Sequence, residues 1–170
     1  MLEIGMICAE AGEKIARVSA NMAMAADMEV RASSTATTGA YSSACQRGLP
    51  AILMERGGGG RFTDSEVQAY KQDVKNIMIR MGLLSGEEVH TVQQKNVTRA
   101  EYLEAETDGL WYPVFSAGDT FAGGAVLGTV RDIWGNLLRE YRADYPGIIL
   151  YQTVGLGVKT GDPLIAYGHP

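Results

Sequence analysis

A glutamate followed by an arginine and four glycines is the part of the sequence best suited to chemistry. Glu55 ends an apolar run of strand length, 51–54, and residues 57–60 are all glycine. A carboxylate at the carboxyl end of a strand in an open α/β sheet lies where such sheets bind ligands. Burial would raise its pKa toward that of a general base acting on water. Glycine has no side chain and accepts positive φ angles, so a substrate can lie against the backbone of Gly57 and Gly58.

Two nucleotide-binding motifs also contain clustered glycines, and the sequence matches neither. A phosphate-binding loop requires GxxxxGK[ST], but Arg-Phe-Thr-Asp follows Gly60. A dinucleotide-binding loop requires GxGxxG opening into a helix, and Phe62 stands where its last glycine would be. A purely structural role also stays open, in which Glu55 pairs with a neighbouring basic residue and the glycines only form a flexible turn. Alternation along a strand predicts that Glu55 and Arg56 point to opposite faces.

The elements that would position Glu55 are predicted from hydrophobic spacing and from helix-breaking residues. An amphipathic helix is predicted over 10–27, and a short strand is predicted over 28–32. A short helical segment over 41–47 ends at Gly48. Residues 51–54 are continuously apolar rather than alternating, which predicts a central strand covered on both faces.

A second helix is predicted directly after the glycines. Thr63 and Glu66 have the spacing of a capping box, and Gly82 supplies the stop signal. Between them, apolar residues recur at helical spacing and predict one buried stripe. The stripe consists of Val67, Tyr70, Val74, Ile77, Met78 and Met81.

The second part of the chain has a β pattern. From residue 97 onward, short apolar segments are broken by Gly and Asp. The segments 116–128 and 155–168 resemble each other, because each carries a Gly-Asp pair before an apolar strand. Two such half-units predict a small sandwich or barrel with approximate internal symmetry. We therefore predict an α/β chain in two parts, with a partial α/β domain over 1–86 and a glycine-rich β domain over 87–170.

These motifs together resemble the succinylglutamate desuccinylase/aspartoacylase family, which comprises zinc-dependent deacylases related to carboxypeptidases. The resemblance rests on Gly48-Leu-Pro-Ala-Ile-Leu-Met-Glu-Arg-Gly-Gly, on the helix ending in Met-Gly-Leu-Leu-Ser-Gly and on the Gly-Asp pairs. It implies the C-terminal part of a carboxypeptidase-like domain followed by an all-β barrel-sandwich domain. It also implies that Glu55 is the general base. The glutamate would take a proton from a metal-bound water that attacks the amide carbonyl of an N-acyl amino acid or similar small substrate.

The zinc ligands of that family, His-x-x-Glu and a later His, precede the motif and have no counterpart in this chain. Its two histidines, His90 and His169, both follow Glu55. A catalytic zinc site needs about three protein ligands, so we expect this chain alone to bind no zinc and to lack activity. It is expected to need a metal-binding half or a second copy. The aspartoacylase branch carries an arginine before the proline, where this chain has Ser or Ala, and Arg61 is the candidate substitute for substrate binding.

The composition of the chain argues against several classes of partner and cellular location. The net charge is −5 and Lys and Arg do not cluster, which argues against a nucleic-acid partner. No apolar run approaches the roughly 20 residues of a membrane span. Cys8 and Cys45 lie far apart without a CxxC pattern, which predicts reduced thiols in a cytoplasmic protein.

A second class of function also remains open, namely a non-catalytic interaction or scaffold module built on the β domain. The paired strands resemble the barrel-sandwich arrangement of biotinyl and lipoyl carrier domains. Such carriers expose a lysine at a hairpin tip, and the candidate tips at 134–137 and 143–147 contain none. A carrier role is therefore not expected.

Overall fold

The structure is a computed structural model that describes residues 3–8, 12–34 and 37–169, with only the backbone described for Cys8. The chain forms two compact units, which we call the N-terminal unit (2–97) and the C-terminal unit (98–170). This boundary falls later than the division predicted at 86/87, because residues 95–97 pair with a strand of the first sheet.

In its described residues, the N-terminal unit is a four-stranded mixed sheet with three helices. The sheet order is β3-β1-β2-β4, with β1 parallel to β2 and β2 parallel to β4, whereas β3 runs antiparallel to β1. The elements are β1 Ile4–Cys8, α1 Glu13–Ala25, β2 Val30–Ser34, α2 Ala40–Gln46, β3 Ile52–Glu55, α3 Asp64–Arg80 and β4 Lys95–Val97.

The predicted elements of this unit are present with shifted ends. The helix predicted over 10–27 is α1, although its predicted first residues, 10 and 11, lie outside the described residues. The core between α1 and the sheet is apolar, with Met28, Val30 and Ala32 fully buried.

None of the helices in the described ranges is long and apolar enough to cross a lipid bilayer.

β3 is not the central strand that the sequence predicted. Within 3–8, 12–34 and 37–169 it is an edge strand whose one partner is β1, and residues 52–54 are only half-buried. The prediction was wrong because a continuous apolar run reports how both faces of a strand are suited to burial. It does not report how many strands pair with its edges.

α3 begins as predicted and buries a different face. The capping box is confirmed: the Glu66 amide donates to Thr63 Oγ1 at 3.2 Å, and the Thr63 amide donates to Glu66 Oε2 at 2.6 Å. The fully buried residues of the helix are Asp73 and Asn76. The prediction of one buried apolar stripe was wrong at Val74, Met78 and Met81, which are exposed.

The reason for this polar buried face is that both side chains have partners. Asn76 donates from Nδ2 to the carbonyl of Val89 at 2.7 Å and accepts from the Val89 amide at 3.0 Å. Asp73 binds Arg56, as described below. Burying polar groups costs little when each is hydrogen-bonded, so α3 packs through specific polar contacts.

The C-terminal unit contains strands and no helix within residues 98–169, as predicted. Two open antiparallel sheets, β5-β12-β10-β7 and β11-β6-β8-β9, contribute residues to one apolar core that includes Trp111, Leu127 and Tyr167. The strands are β5 Arg99–Glu104, β6 Gly109–Pro113, β7 Thr120–Phe121, β8 Val126–Arg131, β9 Leu137–Arg142, β10 Gly147–Gln152, β11 Gly157–Val158 and β12 Pro163–His169.

The two Gly-Asp pairs form the same turn, which confirms the repeat at the local level. Asp119 Oδ2 accepts from the Ser116 amide at 2.8 Å, and Asp162 Oδ2 accepts from the Lys159 amide at 2.8 Å. The preceding glycines have φ angles of 95° and 88°. Each turn leads directly into a strand, β7 or β12.

Candidate active site

Glu55 is the last residue of β3, lies opposite Ile4 of β1 and is exposed. The burial expected for its carboxylate is therefore not provided by the residues that the structure describes. Among the described residues the carboxylate makes no hydrogen bond and no ion pair. The alternative in which Glu55 pairs with a neighbouring basic residue thus finds no support, and the carboxylate can accept a proton from an external group.

Arg56 points into the unit and is almost completely buried, with a side chain 3% exposed. Its guanidinium binds Asp73, donating to Oδ2 from Nε and from Nη2 at 2.8 Å each. Nη2 also donates to the carbonyl of Asp27 at 2.8 Å, and Nη1 pairs with the carboxylate of Glu3. The exposed Glu55 and the buried Arg56 agree with the prediction that they do not share a pocket.

The backbone of Asp27 binds both members of the Arg56–Asp73 ion pair. Asp73 Oδ1 accepts from the Asp27 amide at 2.8 Å, so Asp27 binds the pair through both its N–H and its carbonyl. Burial alone would lower the pKa of Arg56, but the hydrogen bonds to Asp73 and Glu3 outweigh it and raise the pKa above its ordinary value. Arg56 stays charged and ties the end of β3 to α3 and to the segment after α1.

A single hydroxyl holds the backbone on both sides of Glu55. Tyr70 Oη donates to the carbonyl of Met54 at 3.2 Å and accepts from the amide of Arg56 at 2.9 Å. The guanidinium of Arg56 lies 5.9 Å from the centre of the Tyr70 ring. Because Tyr70 and Asp73 are three residues apart on α3, they lie on the same side of the helix.

The glycines form a tight turn. The Arg61 amide donates to the Gly58 carbonyl at 3.2 Å, and Gly59 and Gly60 have φ angles of 63° and 69°, the positive values that a type I′ turn requires at both central positions. Gly57 has a φ of 73°, and an added Cβ would lie 3.2 Å from the carbonyl oxygen of Arg61. The conformation of this segment requires glycine whether or not a substrate binds it.

The predicted site residues thus occupy one short segment, but the side chains in it do not all point to one place. Gly58 and Arg61 face each other through backbone hydrogen bonding, and Gly57 lies two residues after Glu55. The side chain of Arg61 is exposed, and among the described residues it contacts neither Glu55 nor another acidic group. Nothing in this structure assigns it to a substrate carboxylate.

Sequence reasoning did not identify Arg56, Tyr70 and Asp73 as residues that support the site. Tyr70, Asp73 and Asn76 recur at three-residue spacing, which places three hydrogen-bonding side chains on one side of α3. This polar spacing is the signal that could have revealed them.

An apolar groove borders the same strand. It has a volume of about 530 Å³ and lies between α2 and β3. Its lining is formed by Gly39, Ala40, Tyr41, Ala44, Ala51, Ile52 and Leu53. The groove offers apolar surface and little hydrogen-bonding capacity.

The residues present do not fit a zinc ion. Within 3–8, 12–34 and 37–169, no group of three or more His, Cys, Asp or Glu side chains is arranged to hold a metal. His90 Nε2 lies 3.0 Å from Glu88 Oε2, and His169 Nδ1 lies 3.0 Å from the carbonyl oxygen of Pro146. Cys45 is buried with a free thiol 3.7 Å from Ser19 Oγ.

Comparison with solved structures identifies the fold. The ectoine utilization protein EutE (DoeB) from Ruegeria pomeroyi, in its product-bound structure, superposes with a TM-score of 0.87 at 21% identity. A succinylglutamate desuccinylase/aspartoacylase from Rhodobacter sphaeroides superposes with a TM-score of 0.82 at 20% identity. An aspartoacylase family protein from Mesorhizobium loti superposes with a TM-score of 0.77 at 19% identity. The chain has the fold of the succinylglutamate desuccinylase/aspartoacylase family. No protein-family model and no curated protein matches the sequence.

The shared fold covers almost the whole chain and about half of each desuccinylase/aspartoacylase structure. Coverage is 99% of this chain against 54%, 54% and 52% of the three proteins named above. The resemblance predicted from the sequence is therefore confirmed at the level of the fold, and the coverage fits the C-terminal half. The alternative of a scaffold module receives no support from these comparisons.

Proposed function

We propose that this chain is the C-terminal portion of a deacylase, a hydrolase in which Glu55 acts as general base on the amide bond of an N-acyl amino acid or a similar small substrate. The observation that carries the proposal is the placement of Glu55. Its carboxylate is exposed and unpaired among the described residues, while Arg56 and Tyr70 hold the backbone around it.

The chemistry assigned to this chain is proton transfer. The Glu55 carboxylate accepts a proton from water as the water oxygen attacks the amide carbonyl carbon, and it returns that proton to the amine that leaves. The glycine turn carries no side chains at 57–60, so a substrate can approach the base closely. The apolar groove beside β3 is the neighbouring surface on which an apolar part of a substrate can rest.

Zinc, when bound in an enzyme of this class, supplies Lewis-acid polarisation of the carbonyl and of the water. The described residues do not fit it, so the proposal assigns the metal ligands to a carboxypeptidase-like segment outside this chain. The edge of β3 that is unpaired among the described residues and the exposed Val74, Met78 and Met81 offer surface that such a segment, or a second copy of the chain, would cover. We place the protein in the cytoplasm because the buried thiol of Cys45 is free.

The test is hydrolysis of a panel of N-acetyl and N-succinyl amino acids by the complete deacylase, with its metal-binding portion and Zn²⁺ present. Glu55→Gln keeps the shape and removes the proton acceptor, so turnover should fall by about 10²–10⁴-fold with unchanged zinc content. Glu104→Gln is the matched control, because Glu104 is also an exposed glutamate at the end of a strand. Near-normal turnover of a well-folded Glu55→Gln enzyme would refute the role of Glu55.

A further inference from the structure

We propose that Tyr70 is a positioning residue for Glu55 and acts through the peptide groups on either side of it. The inference rests on the proposed role of Glu55 as general base. It concerns how an exposed carboxylate at the end of an edge strand keeps one orientation.

The hydroxyl of Tyr70 makes hydrogen bonds to the peptide groups on both sides of Glu55. Its hydroxyl donates to the Met54 carbonyl at 3.2 Å, which belongs to the peptide group before Glu55. The same hydroxyl accepts from the Arg56 amide at 2.9 Å, which belongs to the peptide group after it. These two peptide groups set the φ and ψ angles of Glu55 and therefore the direction of its Cα–Cβ bond.

Nothing else among the described residues orients the carboxylate itself. The Glu55 side chain is exposed and makes no hydrogen bond in that part of the chain. Among the described strands β3 pairs with β1 alone, so strand pairing leaves the end of β3 less constrained than the end of a central strand would be. The ion pairs of Arg56 anchor its side chain, and the hydroxyl of Tyr70 adds direct hydrogen bonds to the backbone on both sides of Glu55.

Tyr70 is itself held in place. It is half-buried on α3, where its ring lies beside the buried guanidinium of Arg56. That guanidinium is bound in turn by Asp73, on the same side of α3. The phenol therefore approaches Met54 and Arg56 from a fixed direction, which is the property that a positioning group needs.

The kinetic consequence follows from the geometry of proton transfer. A general base must lie within hydrogen-bonding reach of the proton that it removes, and a misplacement of about 1 Å can reduce the rate by about 10²-fold. Tyr70→Phe removes the hydroxyl and keeps the ring. In the complete deacylase it should lower kcat by about 10-fold to 10²-fold and leave KM unchanged, because the substrate contacts remain.

The experiment measures amide hydrogen exchange and turnover in Tyr70→Phe and in a control, Tyr112→Phe. Tyr112 is 43% exposed, and its hydroxyl makes no hydrogen bond among the described residues. Amide hydrogen exchange in the isolated chain should accelerate at Arg56 in Tyr70→Phe and stay unchanged in Tyr112→Phe. Unchanged exchange at Arg56 would overturn the proposal whether or not activity can be assayed.

The activity measurement separates failure of this inference from failure of the proposed function. Turnover lost in Glu55→Gln and reduced in Tyr70→Phe, with KM unchanged, supports both. Turnover lost in Glu55→Gln and normal in Tyr70→Phe overturns the positioning role alone. Normal turnover in Glu55→Gln overturns the proposed function, and with it the need to position a base.

Discussion

Asp73 binds Arg56 through one oxygen: Oδ2 lies 2.8 Å from Nε and 2.8 Å from Nη2 of the guanidinium. Both side chains are buried, at 0% and 3% exposure. The second oxygen, Oδ1, accepts from the Asp27 amide. Removing Arg56 would therefore leave the buried Asp73 carboxylate without its ion-pair partner inside the N-terminal unit.

Arg56→Met should destabilise the N-terminal unit strongly. Loss of one member of a buried ion pair typically costs about 3–5 kcal/mol of unfolding free energy, and Met keeps much of the side-chain volume. Arg61→Met is the control, because Arg61 is exposed and unpaired among the described residues; its effect should stay within about 0.5 kcal/mol. Denaturant unfolding of both variants measures the difference, and equal midpoints would contradict the role assigned to Arg56.

Gly57→Ala should destabilise the turn after β3. A left-handed backbone costs a non-glycine residue about 1–2 kcal/mol, and the new Cβ would lie 3.2 Å from the Arg61 carbonyl oxygen and from Glu66 Oε1. Gly157→Ala is the control, because a Cβ there meets no atom within 4 Å and its φ is not positive. Thermal unfolding of the two variants should differ; a Gly57→Ala protein as stable as Gly157→Ala would show that the turn tolerates a side chain.

The stability of the N-terminal unit should fall in acid through Asp27. Burial alone would raise the pKa of Asp27, but hydrogen bonds from the hydroxyl and amide of Thr91 and from the Val92 amide lower it below its ordinary value of 3.8. A depressed carboxyl pKa stabilises the fold above the unfolded-state pKa, and that contribution is lost as the pH falls through the folded-state value.

Asp27→Asn should therefore be less stable at neutral pH and lose less stability on acidification. Melting temperatures from neutral pH down to below the unfolded-state pKa measure both effects. Glu29→Gln provides the control, since Glu29 is exposed and its carboxylate is unpaired among the described residues. Parallel acid profiles for Asp27→Asn and the unsubstituted chain would show that Asp27 is not the titrating group.

The isolated chain should contain no stoichiometric zinc after dialysis against metal-free buffer. The physical reason is ligand number, because catalytic zinc sites draw about three protein ligands to one point. Elemental analysis makes the measurement, with the complete deacylase as the positive control. About one tightly bound zinc per isolated chain would contradict the prediction, and His90 with Glu88 would be the first ligands to substitute.

Local patterns in the sequence predicted the segment around Glu55 well. The strand predicted over 51–54 is present as β3 with ends shifted by one residue, and Thr63 with Glu66 forms the capping box that starts α3. Both features depend on residues within a few positions of each other. Turn and cap geometry is fixed over that range, so the spacing of residue types is sufficient to predict it.

The contacts that fix the site are long-range and were not predictable in this way. Arg56 binds Glu3, Asp27 and Asp73, which lie in three separate segments of the sequence. Hydrophobic spacing favoured an apolar buried face for α3, and the polar partners of Asp73 and Asn76 overrode it. Whether β3 is an edge strand depends on which strands pair, which its own residues do not encode.

The placement of aromatic residues and helices gives the two units separate optical signals. Both tryptophans belong to the C-terminal unit: Trp111 is 2% exposed, with its ring against Gly128, and Trp134 is 82% exposed. All three helices in the described residues belong to the N-terminal unit. Tryptophan emission therefore follows one unit, and the helical circular-dichroism signal follows the other. Separate unfolding midpoints for the two signals would show that the units unfold independently. In that case a substitution at Arg56 would shift the midpoint of the dichroism signal and leave the midpoint of the tryptophan emission unaltered.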